Sequence, residues 1–266
     1  MDNKDRNFDG LSRRFRDNIY RRPKGQLRLD LCWRELNTQL PHLEGASLQV
    51  WDAGGGLGQM SARLAGLGHN VLYSDISQEM LAAFVEEQSA GELRNIEARQ
   101  GAIQEMASLP EMAGRFDLIV CHAVLEWVED QPGLVQALAR CLQPEGYLSL
   151  MFYNLNTLVL SNITKGNLYK LRDEDFAGHP GGLTPSHPCR PHQVETWLAA
   201  GDLEVVARRG IRLVYDLMPR AIRDARSLED VAALEWQYGD QEPFWALGRY
   251  VHLLCRPSVK RGRPAR

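Results

Sequence analysis

Residues 48–59 read LQVWDAGGGLGQ, and three glycines at alternate positions, Gly54, Gly56 and Gly58, follow the carboxylate of Asp52. Glycine lets a backbone pass through positive φ and lie close against a ligand. The helical pattern that follows, Gln59 to Leu67, offers unpaired amides at its N-terminus. Together these make a nucleotide cradle. A second carboxylate, Asp75, ends the strand-like run Asn70-Val71-Leu72-Tyr73-Ser74-Asp75, about 20 residues beyond the glycines as a βαβ unit requires, where it can chelate ribose hydroxyls. The plainer alternative makes the glycines an ordinary loop and Asp75 an N-cap for Ile76 to Met80. A dinucleotide fingerprint is excluded, because GxGxxG needs glycine at position 59 and Gln59 stands there.

The pattern is instead DxGxGxG, which resembles motif I of class I S-adenosylmethionine-dependent methyltransferases. Such a ligand has no phosphate, but it has an amino-acid moiety to be held near the glycines and a ribose for Asp75. Gly101-Ala102-Ile103-Gln104 follows the third strand, where small residues leave room for an adenine ring. His122 ends the fourth strand, where such enzymes meet cofactor and substrate; it can equally be a satisfied core histidine. Trp51 and Trp127 are expected in the core. His179, His187, Cys189 and His192 match no zinc spacing, and no metal is expected.

These groups need a scaffold that alternates strand and helix. Strand two ends at Asp75 and a helix runs to about residue 89. Strands are expected over 95–100, 116–121 and 146–153, with helices opening at Asp130-Gln131-Pro132-Gly133 and over 191–200, and late strands over 203–207 and 250–255. The fold class is α/β, a doubly wound sheet. One domain is expected over residues 1–255, with a helical basic extension at 1–45, substrate-side insertions at 155–190 and 213–244, and a basic flexible tail at 256–266. In open sheets ligands bind beyond the carboxyl ends of the strands, where such additions build walls and lids.

With 266 residues, 44% of them hydrophobic, the chain can bury a substantial core. No apolar run reaches the roughly 20 residues of a membrane span. The five cysteines form no CxxC pair, which fits a reducing cytoplasm. The net charge of −3 hides an uneven distribution: residues 1–28 carry +5, residues 256–266 another +5, and the body between carries −13. Val205 to Arg226 is a further basic island with Arg208, Arg209, Arg212, Arg220, Arg223 and Arg226. Basic segments on an acidic body fit a polyanion such as RNA, or are simply solvated faces.

Several strings are more discriminating than the fold: DRNFD at 5–9, NIY at 18–20, KGQLR at 24–28, HAVLEWV at 122–128, LSLMFYN at 148–154 and QEPFWALGRYVH at 241–252. With the glycine loop, they closely resemble the bacterial tRNA 5-carboxymethoxyuridine methyltransferases from Arg6 to about Cys255. Trp51 and Leu57 depart from the family pattern at the cradle. The resemblance implies a Rossmann-like methyltransferase sheet, S-adenosyl-L-methionine as methyl donor, and the wobble carboxylate of 5-carboxymethoxyuridine in a tRNA anticodon stem-loop as acceptor. It further implies cofactor contacts from Arg28, Gly54, Gly55, Asp75, Ala102, Ile103 and His122. Arg28 also makes independent sense, since a guanidinium pairs bidentately with a carboxylate. An acceptor carboxylate is already ionised at neutral pH, so no general base is expected. Tyr20, Tyr153, Asn154, Arg212 and Arg249 are candidates for positioning it. The alternative is a methyltransferase for a small carboxylate or quinone-like metabolite.

Overall fold

The computed structural model describes residues 5–10, 22–89, 94–176 and 184–258. Seven strands form a single sheet in the order β3-β2-β1-β4-β5-β7-β6. They are β1 (Gln49–Ala53), β2 (Asn70–Asp75), β3 (Ile96–Gln100), β4 (Phe116–His122), β5 (Leu142–Tyr153), β6 (Leu203–Ile211) and β7 (Tyr250–Pro257). The first five run parallel, and β7 is antiparallel to both β5 and β6. The chain winds outward from β1 to β3, then returns to place β4 on the other side of β1. That reversal opens a crevice beyond the carboxyl ends of β1 and β4, the place where ligands enter such sheets.

The parallel strands are apolar because helices cover both faces. Along β4, Ile119 and Cys121 point to one core with Leu134, Leu138, Val194 and Leu198, while Leu118 and Val120 point to the other with Leu31, Leu36 and Leu64. The first core lies under the helices Gln131–Cys141 and Pro191–Ala200, the second under Pro23–Gln39 and Gln59–Gly66. Asp130 caps the helix Gln131–Cys141 by accepting the Gly133 amide at 2.9 Å. All five cysteines are buried free thiols. Among the described residues no helix is long and apolar enough to cross a membrane.

Four expectations need revision. Strand β5 begins at Leu142, not Gly146, and β6 continues to Ile211, so Arg208 and Arg209 are strand residues and alternate between faces. Arg209 is buried, paired with Glu35 of the helix Pro23–Gln39 at 2.5 Å and with Asp240 at 2.9 Å, and it stacks on Trp236. Arg212 is buried beside Asp216, Arg208 pairs with Glu195, and Arg220 and Arg223 both reach Asp224. Five of the island's six arginines are therefore engaged in ion pairs within the chain, two of them, Arg209 and Arg212, buried. Arg256 and Pro257, expected in the flexible tail, instead end β7, with Arg256 paired to Glu204. The tail beyond residue 258, residues 1–4 and 11–21 of the basic extension with Arg13, Arg14, Arg16 and Tyr20, and His179 lie outside the described residues.

Candidate active site

The glycine loop is shaped by its neighbours. The amides of Gly54 and Gly55 both donate to the Ser74 carbonyl, at 2.8 and 3.0 Å. Ser74 is itself fixed by the indole of Trp51, which donates to its hydroxyl at 2.9 Å. Trp51 is fully buried and packs on Phe116, behind the cradle and not in its lining. Tyr73 reaches over to the Gly56 carbonyl at 2.6 Å and stacks on Phe84. Gly54, Gly56 and Gly58 all have positive φ, and a Cβ on Gly55 would stand 2.7 Å from the Tyr73 ring. Only glycine fits this loop. Asp52 ties the following helix to β1 by accepting the Ser61 amide and hydroxyl at 3.1 and 2.6 Å.

A cavity opens beyond these strand ends, and six of the seven residues expected at a cofactor line it: Arg28, Gly54, Asp75, Ala102, Ile103 and His122. Gly55 borders the adjoining recess with Arg28, Asp52 and His122. Asp75 accepts the Gly56 and Ser77 amides at 3.0 and 2.8 Å while facing the cavity, so it is a turn-former and a wall residue together. Burial raises its carboxyl pKa. Arg28 brings a cation, 8% exposed, to the end where the glycines leave backbone bare. Ile76, Met80, Ile103 and Val128 supply apolar surface. A carboxylate for hydroxyls, a cation for an acid group and an apolar slot between them suit S-adenosylmethionine.

Arg6, Phe8, Glu126 and Trp127 are among the wall residues not expected at the cofactor from sequence. Arg6 and Phe8 lie on the segment 5–10, which is fastened across the cavity by Asp5 to the Glu129 amide at 3.0 Å and by Asp9 to the Ser77 hydroxyl at 2.6 Å. Trp127 is a wall residue and not purely core; Phe8 meets its ring edge-on, and the Arg6 guanidinium lies 5.0 Å from its centre. Glu126 is 1% exposed, and its Oε2 has no hydrogen-bond partner. Burial pushes its pKa to about 7. Glu126 and Trp127 stand only four and five residues past His122, a short spacing that could have flagged them, whereas Arg6 and Phe8 reach the wall only after distant segments fold together.

His122 is held in a chain: its Nε2 lies 2.7 Å from the Ser149 hydroxyl, which lies 2.7 Å from His252 Nε2. Burial lowers the pKa of His122 well below its ordinary value and takes His252 to about 3. Both rings are neutral at neutral pH.

The positioning candidates separate. Tyr153 and Arg249 meet, with Arg249 Nη1 donating to the Tyr153 hydroxyl at 2.9 Å, and both line a polar cleft with Lys165, Lys170 and Thr184. Asp216 links Arg249 to Arg212, at 3.3 and 2.9 Å. The cleft and the cavity share a boundary: Tyr153 on the cleft side lies 5.4 Å, edge to face, from Tyr250 on the cavity side. Asn154 is spent elsewhere. It is fully buried, caps the helix Leu155–Thr164 through the Asn156 amide and donates to the Ala246 and Gly248 carbonyls at 2.9 and 2.8 Å. Among the described residues no three His, Cys, Asp or Glu side chains gather as metal ligands.

A methyltransferase-domain family model matches residues 51–150. The tRNA 5-carboxymethoxyuridine methyltransferase of Escherichia coli strain K12 is 37% identical over 257 residues, covering 95% of this chain and 96% of the relative. The chain belongs to the tRNA 5-carboxymethoxyuridine methyltransferase family. Ubiquinone biosynthesis O-methyltransferase of Acinetobacter baumannii strain AYE is 31% identical, over only 42% of this chain and 46% of its own. Among solved structures, an S-adenosylmethionine-dependent methyltransferase from Mesorhizobium loti superposes with a TM-score of 0.55 at 17% identity, covering 84% of this chain and 96% of that one. That likeness concerns the fold.

Proposed function

We propose that the protein transfers the methyl group of S-adenosylmethionine to the carboxylate of 5-carboxymethoxyuridine at the wobble position of tRNA, giving the methyl ester. The observation that carries this reading is the reach of the likeness to the E. coli relative: it runs through 95% of the chain and so includes the additions that build the polar cleft beside the cavity. Arg28 holds the methionine carboxylate, Asp75 the ribose hydroxyls, and Ala102 and Ile103 the adenine; Gly54, Gly55 and His122 border the methionine end. When bound, the cofactor supplies a methyl group on a sulfonium.

The residues then have little proton chemistry to perform. A carboxylate with an ordinary acid pKa is ionised at neutral pH, so placement and exclusion of water carry the reaction. The segment 5–10 covers the cavity. The Tyr153 hydroxyl accepts from Arg249 and keeps its own proton to donate; burial raises its pKa, so it stays neutral. A neutral donor on the non-attacking oxygen orients a carboxylate without quenching the attacking one.

Deleting the gene tests this reading: tRNA nucleosides should lose the methyl ester and accumulate the free acid, and an unchanged ester level would contradict it. A pH prediction follows from the cavity wall. His122 stays neutral between pH 6 and 8, so turnover at saturating cofactor should be flat there, and His122→Ala should lower activity without changing that shape. Glu126 ionises near 7 in a wall that receives a cation. Cofactor affinity should therefore rise from pH 6 to 8, by up to about tenfold for one pKa unit of coupling, and Glu126→Gln should flatten it. Calorimetry across that range decides; a slope that survives in Glu126→Gln refutes the assignment.

A further inference from the structure

The helices Leu155–Thr164 and Leu168–Arg172 form a hairpin that contributes almost nothing to the core. Thr157 is the one buried residue of the first helix, and none of the second is buried. The hairpin is nevertheless fixed firmly, because Asn154 and Thr157 bond the carbonyls of 246–248 just before β7. Its outer surface is apolar where solvent would favour polar groups: Leu168 is 68% exposed, Tyr169 58% and Ile163 53%. Lys165 and Lys170 project into the polar cleft with Arg249. Neither lysine has a carboxylate partner among the described residues, and Asp175 is the one acid lining that cleft among them.

We infer that this hairpin is the docking surface for the unpaired anticodon-loop nucleotides, with Tyr169 stacking on a base and Lys165 and Lys170 meeting phosphates at the mouth of the cleft. The inference rests on the tRNA reading above and specifies where the nucleic acid lies. An exposed aromatic interleaved with unpaired cations suits a ligand that presents both π faces and phosphates. Unpaired loops offer such faces, whereas stacked stems hide them. The position also fits, since the cleft meets the cofactor cavity across the Tyr153 and Tyr250 rings. The basic island around β6 is a weaker candidate, because Arg208, Arg209, Arg212, Arg220 and Arg223 are all paired with acids of the same chain.

The test uses the full-length protein and tRNA from cells lacking the gene, which carries the free acid. Tyr169→Ala should raise KM for tRNA by roughly tenfold, the scale of one missing base stack. The double variant Lys165→Ala/Lys170→Ala should make the slope of log affinity against log salt shallower by about 0.7 for each phosphate no longer neutralised. In both, kcat at saturating tRNA and cofactor affinity should stay at wild-type values, and Tyr169→Trp and Lys165→Arg/Lys170→Arg should restore tRNA binding. Unchanged KM and salt slope alongside an active wild type would overturn the hairpin inference alone, as would a loss that tracks cofactor affinity. A wild type that leaves this tRNA unmethylated would defeat the functional reading itself.

Discussion

Replacing Asp75 by alanine is expected to weaken S-adenosylmethionine binding by about 1.5–3 kcal/mol, the range for a hydrogen bond involving a charged group. Two effects act in the same direction. The variant loses the carboxylate that faces the cavity, and it also releases the Gly56 amide, which that carboxylate holds at 3.0 Å. Asp75→Asn separates them, because an amide oxygen can still accept from Gly56 while carrying no charge. It should retain part of the affinity. Calorimetry on folded variants measures both, and wild-type affinity in Asp75→Ala would remove this residue from the site.

The largest stability effect is expected away from the cavity. Glu35→Ala should destabilise the fold by about 3–5 kcal/mol, the usual cost of leaving a buried charge without its partner. Arg209 is 2% exposed, and its partner Glu35 lies on the helix that also carries Arg28. Asp240 still contacts Arg209, but that acid is exposed and compensates a buried cation less well. Loosening this clamp should lower cofactor affinity as well, through Arg28. Glu35→Gln keeps an acceptor and should fall between wild type and alanine in urea unfolding. If Glu35→Ala unfolds at the wild-type midpoint, the clamp contributes nothing.

The fold and the cofactor end were legible in sequence for a physical reason: each depends on short-range order. A buried strand, a glycine loop that needs positive φ and a carboxylate one βα unit later announce themselves within 28 residues of chain, from Leu48 to Asp75. What failed depended on facing. Arg209 and Arg212 look identical to surface cations until β6 is seen to extend to Ile211, which sends Arg209 inward to Glu35. Asn154 sat at the right strand end, but it turned out to cap a helix. Arg6 and Phe8 meet Glu126 and Trp127 at the cavity from segments 120 residues apart in chain, a closure that no local pattern encodes. Asp5 and Asp9 likewise show their fastening role only once their partners at 129 and 77 are in place.

The chemistry of the transferred methyl tests most directly whether the acceptor is a carboxylate on a wobble uridine. The purified protein is incubated with isotopically labelled S-adenosylmethionine and tRNA bearing 5-carboxymethoxyuridine, and the digested nucleosides are weighed before and after mild alkali. One labelled methyl is expected on that nucleoside, released by alkali with return of the free acid, as an ester requires. A label that survives alkali, or that appears only on a small carboxylate offered in place of the tRNA, would contradict that acceptor.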